Sequence, residues 1–130
     1  MDNSLRDLAV QLRSMQSPEA VDWLLTRYPC ESENWGEALT LIGHASFSKG
    51  DARRLAAHYL RRAPYASDRP YQVFAKLIGF RSLLGILGEV VPANHPRRDL
   101  LLYHLKPLLE AVTSDKDRVA ASAFVSVSAQ

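Results

Sequence analysis

Apolar residues recur along this chain at steps of three and four, the period of a helix with one buried side. In SLRDLAVQLRSM, Leu5, Leu8, Ala9, Leu12 and Met15 share one face, and Ser4 is placed to cap it. Ser17 followed by Pro18 predicts an N-cap and a first-turn proline for a second helix, whose stripe of Val21, Leu24, Leu25 and Tyr28 ends against Pro29. Ser32 stands ready to cap a third helix carrying Trp35, Ala38, Leu39 and Ile42. The segment FSKGD reads as a break. Asp51 then caps a fourth helix, with Leu55, Tyr59 and Leu60 inward, Arg53, Arg54, Arg61 and Arg62 toward water, and Pro64 as the stop.

Ser67 or Asp68, with Pro70 just inside, opens a fifth helix whose apolar face is Val73, Phe74, Leu77 and Ile78. Gly79 is expected to divide it from the next, since a glycine inside a helix costs about 0.5–1 kcal/mol against alanine. Leu83, Leu84, Ile86 and Leu87 are apolar nearly all round, which predicts the most buried helix of the fold. Asn94 and Pro96 introduce a segment through DLLLYHLKPLLEAV, and Ser114 caps a last one, DKDRVAASAFVSV. The tail FVSVSA alternates apolar and polar, so helix is expected through about Phe124, with residues 125–130 frayed or extended. The prediction is an all-α chain of six to eight short helices in one domain, residues 1–130. Short links would make successive helices antiparallel hairpins, closed as an irregular bundle or stacked as a small α-solenoid.

Composition narrows the setting. With 130 residues, 47% of them hydrophobic and 23% charged, the chain is rich enough in apolar side chains to fold around a core and is not a disordered tail. Apolar runs stay as short as Leu100 to Leu102, far below the roughly 20 residues that span a bilayer. The start, MDNSLRDLAV, lacks the basic and apolar stretches of a signal peptide, and the lone Cys30 cannot form an internal disulfide. Both observations point to the cytoplasm.

Charge changes the picture more. Residues 1–50 carry four basic and seven acidic side chains, a net of −3, while residues 51–107 carry ten and four, a net of +6. In the acidic part Asp22, Glu31, Glu33 and Glu37 gather near Trp23 and Trp35. Carboxylates around an aromatic anchor suit a basic protein partner, so Asp22, Glu31, Glu33, Trp35 and Glu37 are the candidate partner surface. Each also has an ordinary structural role open to it, as a first-turn carboxylate or a core aromatic. In the basic part, residues 51–81, Arg53, Arg54, Arg61 and Arg62 are the alternative: arginines eight apart share a helix side and could span phosphates. Against nucleic acid stand the mild pI of 8.9 and aromatics at core positions, and the same arginines would serve as a solvated face.

Catalytic and metal chemistry find no pattern. His44, His58, His95 and His104 are scattered without HExxH spacing, and Cys30 has no activating neighbour in sequence. The glycines of GFRSLLGILG have the wrong spacing for a phosphate loop and read as packing positions. A non-enzyme without a cofactor is expected.

Two segments carry resemblances. LKPLLEAVTSDKDRVAASAF resembles one unit of a HEAT repeat: Pro107, Leu108 and Leu109 match the first helix, Asp115 or Asp117 the turn, and Ala120, Ala121 and Ala123 the small residues of the second helix. Arg118 precedes Val119, the reverse of the usual order, and the other hairpins lack the signature. The stretch ASDRPYQVFAKLIGFRSLLGIL is similar to the core of all-helical immunity proteins of bacterial polymorphic toxin systems, including contact-dependent growth inhibition. That resemblance implies stoichiometric binding to a toxin domain, often a nuclease. A HEAT-like adaptor is the alternative it leaves.

Overall fold

The computed structural model describes residues 3–128, and those residues are all-α. Eight α-helices follow in order: α1 (Asn3–Arg13), α2 (Ser17–Arg27), α3 (Gly36–Ile42), α4 (Lys49–Tyr59), α5 (Arg69–Ile78), α6 (Phe80–Val90), α7 (Arg98–Glu110) and α8 (Asp115–Ser128), with a 3-10 turn at Leu60–Arg62. No strand occurs among the described residues. The chain groups into two compact units, Met1–Tyr59 and Leu60–Gln130.

In the first unit the closest packing skips a helix, α1 lying on α3 and α2 on α4. Short links bring only helix ends together; the apolar stripes decide which sides meet. Leu12, Val21, Leu24, Leu41 and Leu55 are fully or almost fully buried where those stripes converge. In the second unit consecutive pairs do pack, α5 on α6 and α7 on α8, and α6 also lies against α8. Its core holds Tyr71, Phe74, Leu83, Leu87, Leu101 and Leu105.

Several helix starts differ from the sequence expectation, each for a local reason. Gln16, not Ser17, is the N-cap of α2, and Ser32 organises a turn instead of capping α3, its hydroxyl accepting the Asn34 N–H. FSKGD straddles the break between α3 and α4: Phe47 lies in the link, and Ser48 caps α4 from within the segment. The Ser48 Oγ accepts the Asp51 N–H at 3.3 Å and the Ser48 carbonyl accepts the Ala52 N–H at 2.8 Å, which places Asp51 in the first turn. The Asp51 carboxylate in turn accepts the hydroxyls of Ser17 at 2.7 Å and Ser48 at 2.9 Å, and the Ser48 N–H reaches back to Ser17 Oγ at 2.9 Å. One carboxylate thus ties the N-termini of α2 and α4 together.

These bonds set a pH dependence. The hydroxyls of Ser17 and Ser48, helped by Arg54, hold the Asp51 carboxyl below its ordinary value of 3.8. A carboxylate with a depressed folded pKa contributes stability above the unfolded value and loses it as pH falls through that value toward the folded one. Asp51→Asn is therefore expected to lower the melting temperature at neutral pH and to lose less on acidification below pH 3.8 than the parent chain. Equal acid sensitivity of the two proteins in thermal melts would contradict this.

Other boundaries match their chemistry. Asp68 occupies the N-cap position of α5 with Pro70 just inside, and Ser114 caps α8 through the Asp117 N–H at 3.1 Å. Gly79 separates α5 from α6 with φ at +92°, a backbone conformation that favours glycine. The alternating tail does not become extended within the described residues: α8 runs helical to Ser128, and residues 129–130 lie outside them.

Pro107 sits inside α7 without ending it. A proline removes the N–H that would reach the carbonyl four residues back, here that of Tyr103. Both Pro107 and Tyr103 are exposed, so water can serve that carbonyl and the lost bond costs little.

Candidate functional site

The sequence-predicted surface lies within the first unit, and the structure divides its residues by role. Asp22 is exposed on α2, and Glu31 and Glu33 are exposed on the turn between α2 and α3. Glu37, not Glu33, is the carboxylate in the first turn of α3. It is half-buried and accepts the Tyr28 hydroxyl at 3.4 Å. Trp35 is no free anchor: its ring stacks on Tyr59 at 5.8 Å and 24°. Cys30 is buried, and its thiol donates to Glu31 Oε1 at 3.0 Å.

The turn that carries Glu31 and Glu33 is therefore pinned on both sides. Cys30 roots it in the core, and Trp35 is fixed by the Tyr59 ring. Tyr59 itself donates its hydroxyl to the Tyr28 carbonyl at 2.7 Å, just past the end of α2. Burial, then Cys30 and Tyr28, push the Tyr59 phenol far above its ordinary range, so it stays a donor. Exposed carboxylates on a pinned turn face a partner with little ordering left to lose on binding.

Beside this turn an open groove of about 610 Å³ runs along α2, lined by Glu19, Asp22, Trp23, Thr26 and Arg27. Trp23 is half-buried and meets Tyr28 edge-on at 6.5 Å, while Arg27 lies over both rings at 5.8 and 5.7 Å. Sequence reasoning placed Trp23 near the carboxylates but missed Glu19 and Arg27 as its neighbours. Their spacing along α2, three and four residues from Asp22 and Trp23, is the signal that could have found them.

The four arginines of the alternative basic face do not share one α-helix. Arg54 pairs with Asp22 at 2.5 Å, joining a residue of the expected anion-binding face to one of the expected acidic face. It also approaches Asp51 at 3.7 Å. Arg53 and Arg54 belong to α4, which ends at Tyr59; Arg61 and Arg62 belong to the 3-10 turn that follows. The α-helical register that would align arginines eight apart stops before the second pair is reached.

A residue missed by sequence reasoning is Tyr103, at 72% the most exposed large hydrophobic side chain among the described residues. It lines a second open groove, of about 550 Å³, with Asp68, His104, Lys106, Pro107 and Glu110. Among the described residues no helix is long and apolar enough to cross a membrane, and no group of three His, Cys, Asp or Glu side chains is placed to hold a metal ion. No protein-family model, curated protein or solved structure matches this chain.

Proposed function

We propose that this chain is an immunity protein, which binds a bacterial toxin domain stoichiometrically and neutralises it by covering a basic surface. The observation that carries the reading is the pinned acidic turn: Glu31 and Glu33 exposed, between Cys30 in the core and Trp35 stacked on Tyr59. The α2 groove, with Glu19, Asp22 and Trp23, extends it with an aromatic contact. A toxin that is a nuclease needs cationic side chains to hold its phosphate substrate, and a fixed anionic surface would compete for them. The charge of the first fifty residues, −3 in a chain of net +2, suits that role.

The test is protection. Cells expressing the toxin domain encoded by the adjacent gene should survive when this chain is co-expressed, and the two proteins should co-purify at one to one. Glu31→Lys with Glu33→Lys should slow association about tenfold or more at low salt, and the gap should narrow as salt screens it. A chain that neither protects nor binds would remove the reading. Retention on heparin, lost on Arg53→Glu, would instead favour the nucleic-acid alternative.

A further inference from the structure

The outward face of α6 has an unusual make-up for a solvent-facing helix surface. Gly85 and Gly88 lie on it one turn apart, both exposed, and a Cβ added at either would meet nothing within 4 Å. This corrects the expectation that α6 is the most buried helix of the fold, with its glycines as packing positions. Leu83, Leu84 and Leu87 are buried on the other side, but no described residue uses the space the glycines leave. Glycine in an exposed helix weakens it relative to alanine, and what it offers in return is close approach by another backbone.

The charges that bracket the glycines indicate what approaches. Arg81, Gly85 and Glu89 are each four residues apart on one ridge, cation at one end and anion at the other. All three are exposed. Turned end for end, the ridge presents the opposite order, so it is complementary to itself. Two copies crossing at Gly85 would set Arg81 of each against Glu89 of the other, and Gly88 against Ser82. Arg81 gives its Nε to Asp117 at 3.2 Å, which leaves most of its N–H donors for a second carboxylate. Among the described residues Glu89 makes no ion pair.

We propose that α6 is the contact of an isologous homodimer, two copies packed antiparallel over Gly85 and Gly88 with an Arg81–Glu89 pair at each end. This surface lies in the second unit and is independent of the acidic turn. One helix pair buries less than the roughly 1,200–2,000 Å² of a standard interface, so the dimer is expected to dissociate in the range of about 10–100 µM.

Sedimentation equilibrium of the full chain from roughly 1 µM to 1 mM brackets that range. The expected result is a mass that rises from 14.5 kDa toward twice that value. Glu89→Arg should weaken the dimer at least tenfold. Gly85→Leu should abolish it while the helical signal of the monomer persists, because the added side chain enters open space. Mixing Glu89→Arg with Arg81→Glu should restore association, now between unlike chains. A protein that stays monomeric at the top of the range, a dimer indifferent to Glu89→Arg and Gly85→Leu, or folded variants that fail to pair on mixing would each overturn the proposal.

Discussion

Tyr59→Ala is expected to destabilise the first unit by about 3–5 kcal/mol, the range for removing a large aromatic side chain from a core. Tyr59 is fully buried at the end of α4, and its ring is one half of the stack with Trp35. Its hydroxyl also serves the Tyr28 carbonyl, which lies past the end of α2 where no helical N–H reaches back to it. Tyr59→Phe keeps the ring and strands that carbonyl, so it should cost about 1–2 kcal/mol. Because burial keeps the phenol protonated, the difference between Tyr and Phe should stay constant from weakly acid to weakly alkaline pH. Urea titrations followed by circular dichroism measure both losses, and Trp35 emission should shift to the red in Tyr59→Ala alone. A loss in Tyr59→Ala no larger than in Tyr59→Phe would show that the ring stack contributes nothing.

The second large effect belongs to Arg98. It is one of the ten basic residues of 51–107, yet it is only 5% exposed. Nη1 donates to the Val91 carbonyl at the exit of α6, Nη2 donates to the Phe124 carbonyl in α8 at 3.2 Å, and the guanidinium lies 4.1 Å from the Phe124 ring centroid. One planar fork thus fastens α6, α7 and α8. Burial lowers the pKa of the group from its ordinary value, and arginine still carries its charge there. Arg98→Ala removes the stack and deprives both buried carbonyls of a donor, an expected loss of about 3 kcal/mol. Arg98→Lys keeps a charge but not the fork, and a buried ammonium is harder to desolvate, so it should recover less than half of the loss. Guanidinium titration measures the loss, and hydrogen exchange should report faster opening of α8. Stability in Arg98→Lys equal to that of the parent would show that charge, not geometry, holds the three helices.

Both effects mark where the sequence was legible and where it was not. Tyr59 and Leu55 were placed inward because helical spacing fixes which side chains share a face, and that spacing is local. Gly79, Pro70 and Ser114 marked helix ends for the same kind of reason: each acts on its own backbone or on a neighbour within four residues. The cap of α4 was misplaced because Ser48 and Asp51 are both good caps, and the choice was made by Ser17, distant in sequence. Of the candidate surface, the carboxylates of Glu31 and Glu33 are exposed. Trp35 and Glu37 were drawn inward by Tyr59 and Tyr28, partners that no local pattern announces.

By itself the sequence determined the all-α class and most of the inward-facing residues, because apolar period and backbone preference are properties of short windows. Tertiary structure alone decided that α1 meets α3, that Asp22 meets Arg54, that Arg98 is interior and that Gly85 and Gly88 look outward. A helix that is apolar nearly all round, such as α6, does not say which side will face water. Only the packing of its neighbours settles that, and it left the glycines uncovered.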